Sequence, residues 1–197
     1  FTSHGNCLII GVDELPEARL TAKATNLNSL VQLEKGEEIV ACFDEVKDDT
    51  LVFFTALGNA KRTEGKEFDL RTKKTAAIAL KDDDRVIAVE KQDDTAGTVI
   101  MVSKGGMSIR FATDTIPVMG KGAGGVKCMK LDEGDRVIFA AQIADEGEIL
   151  TISDRGYAKR SLVFDYEIQG RPEDLRLQEE RLKRHCHRCG ALRKGAL

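Results

Sequence analysis

Short apolar runs punctuate this chain at a nearly regular interval, each ending in a Ser/Thr-containing turn with a glycine. The turns read Thr2-Ser3-His4-Gly5-Asn6, Thr55-Ala56-Leu57-Gly58-Asn59, Ser103-Lys104-Gly105-Gly106-Met107 and Ser153-Asp154-Arg155-Gly156-Tyr157. Their glycines, Gly5, Gly58, Gly106 and Gly156, are 53, 48 and 50 residues apart. A second element recurs between them: an apolar residue, an acidic or glycine turn and a β-branched run. Its copies are Leu33–Ala41, Leu80–Ala88 and Leu131–Phe139. A third lies between those two, at Lys23–Leu27, Lys73–Ile78 and Lys121–Lys127. No segment before residue 172 sustains a 3.6-residue apolar period, and turn signals fall every eight to twelve residues, so the pattern predicts an all-β array of about four short strands per unit. A strand repeat of this length points to a propeller-like fold.

Boundaries follow from acidic, glycine-bearing links near residues 46, 95 and 146. They divide a repeat domain over residues 1–171 into units 1–46, 47–95 and 96–146 and a partial unit 147–171. Residues 172–197 break the pattern with a helix-prone charged stretch, Leu175–Arg184, and a Cys/His-rich basic end. We read this tail as irregular or helical, and as a frameshifted or disordered stretch. The chain opens on Phe1-Thr2 in the middle of a strand pattern, which is the expectation for a piece of a longer polypeptide.

Charge refines this picture. The net charge is −3, but residues 172–197 hold seven Lys/Arg against four Asp/Glu, leaving 23 against 29 over residues 1–171. An overall basic balance is absent, so polyanion binding has to come from a local stripe. The candidates are the cations that follow the glycine turns: Lys61 and Arg62, Arg110, and Lys159 and Arg160. The loop cations Lys73, Lys74, Lys121 and Lys127 join them. The first unit has no cation after its turn, and either contributes little or uses Arg19 and Lys23 instead. Each of these residues taken singly is ordinary solvated surface; their recurrence at one place in the repeat is what makes them a set.

Other chemistry is thin. The run Gly120–Gly125 lacks the strand–turn–helix setting and GK[ST] ending of a nucleotide loop. The five cysteines read as reduced thiols. His185-Cys186-His187-Arg188-Cys189 has no second ligand pair for zinc, so no metal site is assigned. The carboxylates Asp82–Asp84, Asp93 and Asp94 fall in turns where solvation suffices, and no Ser/His/Asp set can be assembled. No run of eighteen apolar residues or signal-peptide pattern is present.

The segments Val52–Thr63, Ile109–Phe111, Pro117–Lys127 and Tyr157–Arg160 resemble the C-terminal domain of the A subunit of bacterial type IIA topoisomerases, gyrase and topoisomerase IV. The resemblance runs from Phe1 to about Arg171, with Arg110-Phe111 and Met119–Val126 its most specific part. It implies a β-pinwheel, a propeller-like disc whose blades exchange strands and whose basic outer edge binds and bends duplex DNA. Family discs have five or six blades; this chain supplies about three and a half, an incomplete pinwheel expected to form an open arc. The resemblance also implies partners: duplex DNA, the ATPase B subunit, and the N-terminal catalytic core that precedes this domain. No cofactor is implied for this fragment, whereas the whole enzyme would use ATP and Mg2+. It implies a bacterial cytoplasmic, nucleoid-associated location, no membrane partner and no enzyme activity of this piece alone. A glycine- and lysine-rich gyrase box is not found, and Gly5-Asn6-Cys7 and Leu15–Arg19 lean toward the topoisomerase IV type. The alternative reading is a propeller that binds protein through its face or rim without binding DNA.

Overall fold

The glycine turn is the local device from which the fold is built. In a computed structural model that describes residues 1–81 and 83–170, and the backbone of 178–179 and 186–192, all four copies adopt one geometry. Gly5, Gly58, Gly106 and Gly156 have φ of 79°, 82°, 86° and 80°. Each donates its amide to the carbonyl of the Ser or Thr three residues earlier at 3.0 Å. That residue's hydroxyl accepts from the amide just after the glycine, at 3.2, 3.1, 3.3 and 3.1 Å in chain order. The hydroxyl is thus a structural acceptor, and the positive φ selects glycine.

The acidic turns lock onto these glycine turns. Glu37 accepts from the Thr2 hydroxyl and the Asn6 amide group, at 2.6 and 2.7 Å. Asp84 accepts from the Leu57 amide and the Asn59 side chain, and Asp135 from the Gly105 amide. Burial pushes the Glu37 carboxyl upward. The bonds from Asn6, the Glu34 amide and Thr2, with the Lys74 charge, outweigh it and hold the group at about 2.

Turns of this kind join antiparallel hairpins. Strand β1 is Asn6–Leu8; the second unit holds β2 (Thr50–Thr55), β3 (Asn59–Glu64), β4 (Lys74–Ala76) and β5 (Val86–Lys91). The third holds β6 (Thr98–Ser103), β7 (Met107–Ala112), β8 (Val126–Lys127) and β9 (Val137–Ile143); the fourth opens with β10 (Glu148–Ser153), β11 (Ala158–Leu162) and β12 (Ile168–Gln169). Units exchange strands: β4 pairs with β1 of the unit before it, and β8 closes the edge of the sheet ordered β5-β2-β3-β8. The exchanged strand is therefore a sheet edge. Among the described residues the only helical elements are short 3-10 turns, none long or apolar enough to cross a membrane.

The uniformly apolar central strands have a simple cause. Side chains alternate across a strand, and the central strands β2 and β6 each face a core on both sides. Leu51 and Phe53 pack with Cys7, Phe68 and Ile78, whereas Val52 and Phe54 pack with Val99, Met101 and Phe111. In β6, Val99 and Met101 join that second core, while Ile100 and Val102 pack with Ile149, Val163 and Tyr166. Cores thus lie between consecutive units, and the units cannot be separated without exposing them.

The expected irregular or helical tail is corrected where it is described. Strands β13 (Gln178–Glu179) and β14 (Cys186–Leu192) are extended and pair with β7 and β10. Strand β14 repeats the register of β5 and β9: Ser153 faces Cys186 and Ile152 faces Arg188, with the same one-residue bulge as at Phe54/Thr55 and Val102/Ser103. The open edges of β7 and β10 carry backbone groups that need partners, and this overrides the local helix propensity. The remainder of Leu175–Arg184, and the side chains of the Cys/His cluster, lie outside the described residues. No strand pairing among the described residues joins the last unit back to the first.

Gly58 is also an inter-unit contact. A Cβ there would lie 2.5 Å from the Met129 carbonyl oxygen of the next unit, whereas at Gly134, with a similar φ of 79°, nothing lies within 4 Å. Gly134→Ala is expected to cost about 1–3 kcal/mol of backbone strain. Gly58→Ala should cost clearly more in the same urea titration, because the Met129 carbonyl must also move. Equal losses would contradict the close approach.

Candidate nucleic-acid interface

The arginine four residues after the turn glycine in the second and third units, Arg62 and Arg110, does not face outward. Arg62 donates from Nε to the Ile116 carbonyl at 2.6 Å, and from its terminal nitrogens to Gln92 Oε1 and the Asp114 carbonyl. Arg110, 3% exposed, donates twice to Thr98 Oγ1, to the carbonyls of Val163 and Tyr166 at 3.3 Å, and to Asp145. Both arginines thereby reach the 3-10 turn of the following unit, Thr113–Thr115 in one case and Val163–Asp165 in the other. The last carbonyls of a short helical turn lack intrahelical donors, and a guanidinium offers five in a fixed fork. The arginine is a clasp between units. Arg160 holds the equivalent place in β11, and no following turn meets it among the described residues. Its Nε lies 3.2 Å from Glu148, and its side chain is 66% exposed.

Lys61 is also corrected. It is fully buried in β3, its Nζ 3.0 Å from the carbonyls of both Gly120 and Lys121 and 5.3 Å from the centre of the Phe53 ring. Burial pulls its ammonium down to about 8, with only the Glu67 charge opposing. The same Glu67 accepts the Lys121 amide at 2.7 Å, and Thr63 donates to the Met119 carbonyl. Lys61 thus anchors the loop that leads into β8. The outward rim assigned to Lys61, Arg62 and Arg110 is replaced by an internal framework, because desolvated donors are held by carbonyls that only the next unit supplies.

The remaining candidates stay at the surface. Lys74 lies in edge strand β4 with Lys73 just before it, and Lys127 lies in edge strand β8. Lys73 pairs with Glu14, and Lys74 with Glu34 at 3.0 Å and Glu37 at 3.5 Å. Lys127 is exposed and donates to the Leu57 carbonyl at 2.7 Å, a contact that leaves its charge uncompensated. Half-buried Lys121 and exposed Lys159 have no carboxylate partner among the described residues. The same holds for exposed Lys104, Lys130 and Arg155, which the sequence pattern did not single out. Their signal was a place beside a turn, at the tips Ser103-Lys104-Gly105 and Asp154-Arg155-Gly156 and after Met129. Arg19 and Lys23, the first unit's candidates, are likewise exposed.

His4, Glu34 and Glu37 bring three metal-type ligand atoms together, but the Lys74 ammonium already contacts both carboxylates. Cys7, Cys42 and Cys128 are free thiols; Cys42 is exposed, and burial raises the Cys128 thiol to about 12.

Comparison with known proteins agrees with the strand-exchanged repeat. The family described as DNA gyrase C-terminal domain, beta-propeller, matches residues 1–43, 49–93, 97–144 and 147–172. The DNA gyrase A subunit of Escherichia coli is 36% identical over 177 residues, covering 87% of this chain and 20% of the relative. The DNA gyrase A subunit of Haloquadratum walsbyi is 33% identical over 181 residues, covering 87% of this chain and 21% of the relative. The chain spans about a fifth of the length of these curated relatives. The crystal structure of the C-terminal domain of DNA topoisomerase IV superposes with a TM-score of 0.88 at 24% identity, over 98% of this chain and 62% of that one. A DNA gyrase A C-terminal domain superposes with a TM-score of 0.74, also at 24% identity, over 98% and 64%. At that identity the two structures speak to the fold.

Proposed function

The chain belongs to the DNA gyrase C-terminal domain family, and from that premise we propose that it binds and bends duplex DNA through phosphate contacts along its sheet edges. The observation that carries this reading is the placement of lysines on the exchanged edge strands of successive units, Lys74 on β4 and Lys127 on β8. Lys73, Lys121, Lys159 and Arg160 extend the set. Its exposed pairs with Glu14, Glu34 and Glu148 are worth little in water, so phosphate competes for the same cations. Lys61 and Arg110 are left out of the contact set and Arg62 belongs chiefly to the clasp. Binding of this kind reads no base sequence. A curved surface that bends DNA by 40–90° must offset on the order of 1–6 kcal/mol.

In the whole protein, the domain would guide DNA toward the N-terminal catalytic core of the same polypeptide, in partnership with an ATP-using B subunit. Those activities belong to the parts of the relatives that this chain does not match. A protein-binding rim is the second reading, favoured by the exposed Tyr157, Leu162, Phe164 and Ile168 of the fourth unit.

Binding of a linear duplex across a salt series tests the proposal. Each phosphate contact contributes about 0.9 to the slope of log affinity against log salt. The combined Lys121→Ala, Lys127→Ala and Lys159→Ala variant should therefore flatten that slope by roughly 2.7. A slope unchanged in this variant, or binding insensitive to salt, would turn the reading toward a protein partner.

A further inference from the structure

Lys121 is held in a different way from the lysines of the first exchanged edge. Lys73 and Lys74 are fixed through their ammonium groups, by Glu14 and by Glu34 and Glu37, so carboxylates stand against their charges. Lys121 is fixed through its main chain. Its amide donates to Glu67 Oε2 at 2.7 Å, and its carbonyl accepts from Lys61 Nζ at 3.0 Å. The peptide groups on both sides of its Cα are thereby gripped from the second unit. Its own ammonium has no carboxylate partner among the described residues.

Both gripping groups are firmly placed. Lys61 is fully buried in β3. Glu67 sits in the 3-10 turn Gly65–Phe68, which begins at a glycine whose Cβ would lie 1.6 Å from the Val46 carbonyl oxygen and ends at the buried Phe68. Lys121 itself lies between Gly120 and Gly122, and a Cβ at Gly122 would meet nothing within 4 Å. One turn bond, from the Ala123 amide to the Gly120 carbonyl at 3.0 Å, closes this tip. Glycine on both sides gives the backbone wide freedom, so the clamp is what fixes Lys121 against the sheet.

We propose that Glu67 is a positioning residue for duplex DNA: a carboxylate that favours phosphate binding by ordering Lys121 before the ligand arrives. This rests on the reading of Lys121 as a phosphate contact. The expected sign separates it from a plain charge effect. A carboxylate near bound phosphate repels it, so charge alone predicts that removing Glu67 tightens binding. Ordering acts in the opposite direction, because a residue already held in place loses less freedom when the ligand binds. The geometry suits that role. An acid placed on the ammonium would cancel the charge that phosphate needs, whereas Glu67 takes the Lys121 amide and leaves the ammonium uncompensated.

The experiment separates the acceptor from the charge. Glu67→Gln and Glu67→Ala remove the same charge, and only glutamine keeps an oxygen for the Lys121 amide. The affinity of the intact chain for a linear duplex is measured for both at one salt concentration. Glu67→Gln should bind at least as tightly as the unsubstituted chain. Glu67→Ala should bind roughly three- to tenfold more weakly than Glu67→Gln, the order expected when part of one residue's backbone ordering falls on the binding step. That gap should vanish in the Lys121→Ala background, where ordering the main chain presents no ammonium. In the free chain the Lys121 amide should exchange its hydrogen faster in Glu67→Ala than in Glu67→Gln. Equal affinities, equal amide exchange, or a gap that persists without the Lys121 ammonium overturns the positioning role and leaves the phosphate reading standing. Absence of salt-sensitive duplex binding by the unsubstituted chain overturns both.

Discussion

Arg110→Met is expected to destabilise the domain by about 3–5 kcal/mol, the loss typical of removing one partner from a buried charged network. Methionine fills similar volume but cannot donate, so the Val163 and Tyr166 carbonyls and the Thr98 hydroxyl each lose the guanidinium bond in a water-poor site, the Val163 carbonyl keeping the Tyr166 amide and the hydroxyl its bond to the Ile143 carbonyl. Each unsatisfied buried group costs about 1–3 kcal/mol. Arg110→Lys should restore only part of the loss, because one ammonium cannot reproduce a fork that spans Thr98, two carbonyls and Asp145. The matched Arg160→Met change should cost at most about 1 kcal/mol, since its only partner among the described residues is an exposed ion pair with Glu148. Urea titrations of the three variants check the order. A belt of equivalent DNA-contacting arginines would instead lose little stability at any of these positions.

Lys61→Met is expected to change how stability depends on pH. The ammonium is lowered from 10.5 to about 8 in the folded chain by burial. Between those values the unfolded chain holds the proton and the folded chain does not, so the Lys61 contribution to stability rises with pH. At 1.36 kcal/mol per pKa unit the rise is on the order of 2–4 kcal/mol. A neutral amine keeps two hydrogens, enough for the Gly120 and Lys121 carbonyls, so the anchor survives deprotonation. Wild type minus Lys61→Met, measured by urea unfolding from pH 7 to 10.5, should therefore grow in favour of wild type. The subtraction cancels the Cys128 thiol, which acts in the opposite direction as it titrates first in the unfolded chain. A difference that stays flat with pH would mean that Lys61 is charged and solvated.

How much of this was legible varies from residue to residue. The glycine turns were, because Thr55, Gly58 and Asn59 lie within a few residues and act on one another through local bonds. The acidic turn was recognisable as a turn but not as a lock: Asp84 reaches Leu57 and Asn59 across 25 or more residues, and nothing local distinguishes that from solvation. The cations failed most clearly. Arg110 and Arg160 occupy the same place in the repeat, yet one is buried and the other exposed, because among the described residues only the first meets a 3-10 turn of a following unit. The tail failed for a related reason. Within the helix-prone stretch Leu175–Arg184, Gln178–Glu179 pairs instead with β7, and beyond it Cys186–Leu192 pairs with the free edge of β10.

By itself the sequence determined the all-β repeat, its period, the turn chemistry and the family. These rest on neighbouring residues recurring in a set order, and a local pattern survives without knowledge of the whole. Tertiary structure alone decided which cations face water and which bind carbonyls. The reason is geometric. Long cationic side chains can turn either way from an edge, and their direction is settled by donors and acceptors brought from some fifty residues away, as Lys61 meeting Gly120 shows.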